Sequence, residues 1–522
     1  MIIGLISILY FTLFIPINLQ GAKDANMLSV FRIDEFGLYP TVMHMTTLGS
    51  TPLETLKNVL ITENYTYGYP FWLTSALAIL PFRLLEQAFG LESQTTIHLL
   101  ILRQLSVAFA LCAIWVLVYL WTGFRSAIKS VALFLFLGLM PAVFLNNMWW
   151  HPDSLTTLFV VVTIYCLVKD NLRFDRYFYL AAIFCGLTAG TKLIGVFFFL
   201  AIWVYLFLGY QRDRGLITYL KRGVKWGLVA AATMIASNPL VVIPMYLRRY
   251  VESQQLISGQ YRWGWGVAMD TGPLSWYSET LRDFYGYWWL FALVVILSTV
   301  AVQRISETRL LNLVVLAWAI PFSVYLLFVV AHKNYYYFIP IVLPLFSCLC
   351  NLWSSQLWKL KAPRTLKMGL ALAVLLLLGV QTTQYISADI STYVKGLNKE
   401  QQSPALQFYE QLESLYLSKL PEPWNLVVFR EPYVYVPATG SLLVHFKWDS
   451  TDYSDIEKVQ PDLLLIERSN VKLFEDPSIV VISQDRLQAQ KSFEFYSDVK
   501  HGAPRGFEKI FETDFGIAFV RH

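Results

Sequence analysis

The chain has 522 residues, of which 56% are hydrophobic and only 15% charged, with a formal net charge of +5. Its apolar content comes in blocks of about 20 residues separated by short basic stretches, which excludes a soluble enzyme and predicts a polytopic α-helical membrane protein. All five cysteines fall inside apolar blocks, so neither a disulfide framework nor a thiolate metal site is indicated.

In chain order, spans are predicted at 1–19, 98–121, 130–148, 154–168, 177–191, 193–210, 226–246, 288–303, 310–331, 335–355 and 368–386. The first has no basic n-region and no small-residue cleavage site, so it reads as a retained span and not a removed signal peptide. The stretch 71–90 is nearly as apolar but carries Pro81, Arg83 and Glu86, and charge in hydrocarbon is costly. Counting it as a span would also flip every later loop. Without it, loops 122–129, 169–176, 211–225, 304–309 and 356–367 share one side and hold sixteen Lys and Arg, against Lys192 and Lys333 in the short loops opposite. The positive-inside rule therefore favours eleven spans with the basic loops cytoplasmic, and makes 71–90 an interfacial helix on the outer surface. The first loop (20–97) and the fourth (247–287) then lie outside.

From about residue 387 the apolar blocks stop, and a stretch with 14 Lys and Arg against 20 Asp and Glu follows. Amphipathic helices are predicted at 403–419, 451–459 and 485–499, strands at 424–429, 441–446, 462–467 and 478–482, and a hairpin at 507–520. These features predict a small extracytoplasmic α/β domain (387–522) after a membrane domain (1–386). The membrane part carries 27 Lys and Arg against 16 Asp and Glu, so the positive net charge follows from topology and does not mark a nucleic-acid partner.

Few charges stand at the extracytoplasmic ends of the spans. Asp34 and Glu35 (IDEFGLYP) follow the first; His151 and Asp153 (WWHPDS) open the fourth; Lys192 (AGTKLIG) closes the fifth; His332 and Lys333 (AHKNYYYF) lie between the ninth and tenth. Parity brings them all to one membrane face. A carboxylate there can take a proton from a hydroxyl or amine, and a cation at the same depth can hold a phosphate leaving group. Aromatic faces such as Tyr69, Trp150, Trp263 and Tyr336 can support sugar rings. Each residue also has a plainer reading: a solvated helix start for Asp34 and Glu35, an N-terminal Pro and cap for the HPDS run, snorkelling for the lysines, an aromatic belt for the Trp and Tyr residues. Arg248 and Arg249, directly after a span, suit a lipid phosphate, whether of a polyprenyl carrier or of an ordinary anionic phospholipid.

Taken in order, the acidic pair of IDEFGLY, the Tyr-Gly-Tyr-Pro before an interfacial helix, LRQLSVAFALCAIWVLVYLWTGFRS, the Pro-Asp opening the fourth span, GLTAGTKLIGVFFF and HKNYYYFIPIVLPLF resemble the GT-C membrane glycosyltransferases. The bacterial protein O-mannosyltransferase and aminoarabinose-transferase branch is the nearest match, over residues 1 to about 390. The resemblance implies an integral protein of the bacterial inner membrane that transfers a sugar, with inversion, from a polyprenyl-phosphate donor to an extracytoplasmic glycan, lipid or protein. It implies Asp34 as catalytic acid/base with Glu35 beside it, Asp153 as the acid opening the fourth span, Lys192 near the donor phosphate, and His332, Lys333 and Tyr336 at the lipid phosphate or sugar; His151 flanks the same acid. Relatives often place His-Pro or Glu-Lys-Pro before the interfacial helix as a metal or phosphate ligand. Here Tyr67-Gly68-Tyr69-Pro70 offers no such side chain, so a divalent metal is not indicated. The competing class is a transporter or lipid flippase, which the absence of charge from the middles of the spans disfavours. A scaffold whose soluble domain binds a partner is a third reading.

Overall fold

The computed structural model describes residues 2–522 except 63, 214, 264–280, 331–333, 358–362, 422–424, 449 and 484. The membrane part opens with α1 (Ile2–Leu13) and α2 (Ile15–Asn18), then the short α3 (Ala25–Phe31) and α4 (Ile33–Met45). The Asp24 side chain caps α3 by accepting from the Met27 N–H, and Arg32 breaks the chain into α4, whose first turn carries Asp34 and Glu35. Acids suit that position because the first-turn N–H groups lack helical partners. Next come α5 (Pro52–Leu60), α6 (Tyr69–Phe89), α7 (Thr95–Thr122), α8 (Ala127–Gly138), α9 (Pro141–Asn146), α10 (Asp153–Asp170), α11 (Arg176–Thr191), α12 (Phe198–Asp213), α13 (Leu216–Ala236) and α14 (Pro244–Trp263). The stretch 71–90 is thus a single helix despite Pro81, started by Pro70 in its first turn and closed by Gly90 in the left-handed region at φ 62°.

Among the described residues, five helices are long and apolar enough to cross a membrane: Thr95–Thr122, Leu193–Asp213, Arg309–Phe328, Tyr335–Trp353 and Thr365–Leu397; Ile2–Asn18, Ala127–Gly138 and Trp288–Arg304 are shorter apolar helices. Two expected spans are interrupted. The stretch 130–148 divides at Pro141, and 226–246 divides at Asn238–Pro239, where α13 has ended and a short 3-10 turn precedes α14. Proline has no N–H for the i−4 carbonyl and starts a new helix in both places. The basic stretch 211–225, expected as a loop, is helical from Leu216 onward.

The C-terminal part carries a five-stranded sheet in the order β2-β1-β3-β5-β4, with β1 (Leu426–Arg430), β2 (Leu442–Phe446), β3 (Leu463–Glu467), β4 (Phe507–Glu512) and β5 (Gly516–Arg521). β1 is parallel to both β2 and β3, and β5 joins β3 and β4 antiparallel. The central β3 is buried from Leu463 to Ile466, as a strand covered on both faces requires. The run 478–482, expected as a strand, is instead a helical turn, Ser478–Ile482. Pro477 precedes it and the Asp476 carboxylate accepts from the Ser478 N–H, so the local start signal is helical. A short apolar run is compatible with either state on pattern alone. A single helix of 34 residues, Arg364–Leu397, leads from the membrane part into this sheet domain. Leu464 is fully buried in the sheet core, so Leu464→Ala should cost about 2–5 kcal/mol, measured as a lower chemical-unfolding midpoint of the full-length protein.

Candidate active site

Three successive residues of α4 take three directions. Glu35 turns into the helix bundle and is fully buried. Its carboxylate accepts from Arg103 Nε at 3.0 and 3.1 Å, from Arg103 Nη2 at 2.5 Å and from the Trp150 N–H at 2.7 Å. Arg103, on α7, spends its remaining nitrogen on the Asn18 and Gln20 carbonyls at 2.7 and 2.8 Å. Burial alone would raise the Glu35 carboxyl, but the Arg103 guanidinium and the Trp150 N–H outweigh it and hold the group below the usual carboxylate range. With every lone pair engaged, Glu35 is a fastening and not a free acid. Phe36 turns the other way, onto the C-terminal domain, packing on Phe446 with ring centres 5.0 Å apart. Asp34 faces the space between. It is half-buried and its carboxylate has no hydrogen-bond or ion-pair partner among the described residues, with Tyr335 and Tyr433 within electrostatic reach.

A second cluster is built on α10, the end of α11 and the segment before α6. Asp153, buried in the first turn of α10, holds Lys192 Nζ at 2.6 Å with one oxygen and meets the His151 ring with the other. The Tyr67 hydroxyl is 2.6 Å from His151 Nε2. Trp149 stacks on the His151 ring at 4.2 Å and Tyr336 packs against both, at 5.1 and 4.9 Å. Lys192 Nζ lies 5.5–5.7 Å from the ring centres of Tyr67, Tyr336 and Tyr337, within cation–π range. Lys192 stands where α11 ends, its extended backbone (φ −141°, ψ 136°) breaking the helix before the 3-10 turn 193–197.

Close backbone contacts hold that break in place. The Gly68 N–H donates to the Thr191 carbonyl at 3.0 Å, and Asn238 accepts from the Tyr69 N–H at 2.8 Å while donating to the Gly190 carbonyl at 3.1 Å. A methyl group on Gly68 would sit 1.5 Å from the Gly190 oxygen, so only glycine fits. Beside Lys192 opens a cavity of about 340 Å³ whose polar end is Tyr67, Asp153 and Lys192 and whose walls include Phe197, Phe322 and Leu326. Its shape and lining suit a phosphate at one end and a hydrocarbon chain along the rest.

The other residues singled out in the sequence lie elsewhere. Arg248 and Arg249 are exposed on α14, Arg248 paired with Glu252 at 2.8 Å, and it is Tyr250 and Gln254 of that helix that line the cavity. Trp150 is buried, its ring N–H donating to Ser75 at 2.9 Å and its face stacked on Phe71. Tyr69 lines a separate small crevice with Leu60 and Asn238. His332 and Lys333, and the side chain of Trp263, lie outside the described residues. Among the described residues no group of three or more His, Cys, Asp or Glu is placed to hold a metal. The residues missed are Arg103, Tyr67, Trp149 and Asn238. Only Arg103 carried a signal, as a charge five residues into an apolar span, where a buried partner is the physical expectation.

The helix bundle, the helix Tyr69–Phe89, the C-terminal sheet and the cluster around Asp153 and Lys192 together make a fold that is also found in solved GT-C membrane glycosyltransferases. It is similar to the crystal structures of ArnT from Cupriavidus metallidurans, one bound to undecaprenyl phosphate (TM-score 0.54, 12% identity, 99% of this chain and 97% of that one) and one in the apo state (TM-score 0.53, 14% identity, the same coverage). The archaeal oligosaccharyltransferase AglB from Archaeoglobus fulgidus, in complex with an inhibitory peptide and a dolichol-phosphate, aligns with a TM-score of 0.47 at 12% identity, over 93% of this chain and 72% of that one. No protein-family model matches the sequence, and no curated protein does. The resemblance drawn from the sequence thus holds at the level of fold.

Glu35→Gln should cost about 3–5 kcal/mol near neutral pH, because it leaves a buried guanidinium uncompensated. The Glu35 contribution is present above the unfolded carboxylate pKa of about 4 and is lost as pH falls through its lower folded value. The gap in unfolding midpoint between wild type and variant, measured in nanodiscs, should therefore narrow on acidification below about pH 4.

Proposed function

We propose that this protein transfers a sugar from a polyprenyl-phosphate donor to an extracytoplasmic acceptor at the outer face of the membrane, with inversion at the anomeric carbon. The observation that carries this reading is a cavity lined by Lys192, its partner Asp153 and apolar side chains such as Phe197, Phe322 and Leu326, and it is joined by a carboxylate, Asp34, that has no partner among the described residues. The fold shared with ArnT, a structure of which is bound to undecaprenyl phosphate, supports it.

In this reading the donor's lipid chain lies along Phe197, Phe322 and Leu326, and its phosphate meets Lys192. Asp153 and His151 act on the lysine: the 2.6 Å contact to Asp153 fixes Nζ and leaves its other two N–H groups for phosphate oxygens. Asp153, read from the sequence as a catalytic acid, is here the lysine's anchor. An acceptor hydroxyl or amine attacks the anomeric carbon as Asp34 takes its proton. The bond from that carbon to the phosphate oxygen breaks, and polyprenyl phosphate leaves with the electron pair, its charge met by Lys192. Tyr336 and Trp149 offer aromatic faces beside that cation.

The test follows release of polyprenyl phosphate from a panel of polyprenyl-phosphate sugars, with the full-length protein in nanodiscs. Asp34→Asn should lower turnover by roughly 10²–10⁴-fold with donor binding retained, and Lys192→Ala should lower kcat by roughly 10²-fold or more. Full turnover in Asp34→Asn would remove that residue from the chemistry. No turnover of any donor by the wild type would sink the transferase reading and return the transporter to the front.

A further inference from the structure

In an open sheet with parallel strands, the crevice at the carboxyl ends of the strands where the order switches is the usual place for a ligand. Here the order β2-β1-β3 puts that crevice between β1 and β3, at Arg430–Glu431 and Glu467–Arg468. It is filled by the protein's own first outer loop. Arg430, fully buried, donates from Nη1 to Ser29 Oγ of α3 at 3.0 Å and to the carbonyls of Pro432 and Val434 at 2.8 and 2.9 Å, while its guanidinium lies 5.8 Å from the Phe36 ring centre and 5.4 Å from that of Phe446. Trp448 packs on Phe36 at 5.8 Å and closes over Gly37, where an added methyl group would lie 3.4 Å from the indole. Tyr435 donates to the Asp24 carboxylate at 2.6 Å, and Asn26 donates to the Val436 carbonyl at 3.1 Å. A domain that merely hung beside the membrane part would not bury an arginine against Ser29 of α3 and Phe36 of α4.

We infer that the C-terminal domain is a positioning element of the active site: its switch-point crevice grips α3 and α4, and Arg430 is the positioning residue that sets the direction of Asp34. Glu35 holds one side of the helix through Arg103, and Phe36 holds the other through this crevice. The carboxylate between them has a fixed heading only when both sides are seated. The inference rests on Asp34 being the proton acceptor, so one arm of the test does not depend on activity.

The experiment compares full-length wild type, Arg430→Ala, Arg430→Lys, Trp448→Ala and, as a control on the same domain outside that crevice, Lys500→Ala, whose partner is Glu475. Hydrogen exchange is read separately for residues 33–45 and for β3. Arg430→Ala and Trp448→Ala should raise exchange of α4 by roughly tenfold or more with β3 still protected, and Lys500→Ala should leave α4 unchanged. In the transfer assay the same two variants should lower kcat by roughly tenfold with donor KM within about twofold, and Arg430→Lys should recover most of the loss. Unchanged α4 exchange in folded Arg430→Ala and Trp448→Ala would overturn the inference, as would α4 and β3 loosening together. If the wild type transfers no sugar, the proposed function falls while the exchange result still decides whether the domain holds α4.

Discussion

The buried ion pair between Glu35 and Arg103 is the constraint on which the outer face depends. Two charges taken out of water are costly to bury, and the cost is offset here because four of the five Arg103 N–H groups and both Glu35 oxygens are engaged at once. The same atoms tie together α4, α7, the carbonyls that end α2 and the Trp150 N–H that leads into α10. Once that junction is set, a helix repeat of about 100° per residue sends Phe36 to a different side of α4 from Glu35, onto Phe446. Burial of Glu35 thus fixes one side of the helix that carries Asp34.

The acids at this face divide into two kinds. Glu35 and Asp153 are buried, each met by cations, and they place other groups: one a helix, the other a lysine. Asp34 is met by none among the described residues. A carboxylate already engaged by a guanidinium or an ammonium is a poor proton acceptor, because those partners stabilise the charge it would have to give up. Asp34, which has no such partner among the described residues, is the acid proposed to take the proton, and the paired acids fix its surroundings.

Much of this was legible before the structure. Span parity alone brought His151, Asp153 and Lys192 to one face, and they are in direct contact. The acidic pair stood out because acids after an apolar block are few. What the sequence did not reveal was which acid of IDEF is spent on structure, since that depends on Arg103, 68 residues away along the chain. Arg248 and Arg249 attracted attention as cations after a span, but α13 ends ten residues early at Asn238–Pro239, and the new helix turns them outward. The helical turn at 478–482 was hidden for a different reason, because five apolar residues carry no period long enough to separate strand from helix. The roles of Gly68 and Gly190 were also invisible, since close approach of two backbones leaves no mark in pattern or charge.

The helix Arg364–Leu397 carries a mechanical consequence. Its 34 residues extend about 51 Å at 1.5 Å per residue, against a hydrocarbon thickness of about 30 Å. The last turns stand clear of the bilayer as a rigid stem for the sheet domain. Thinning or thickening of a surrounding membrane is accommodated by tilt, and tilt of such a stem is carried toward the sheet domain that packs on α4. Under the proposed function, the lipid around this protein is in that sense a term in the geometry of Asp34.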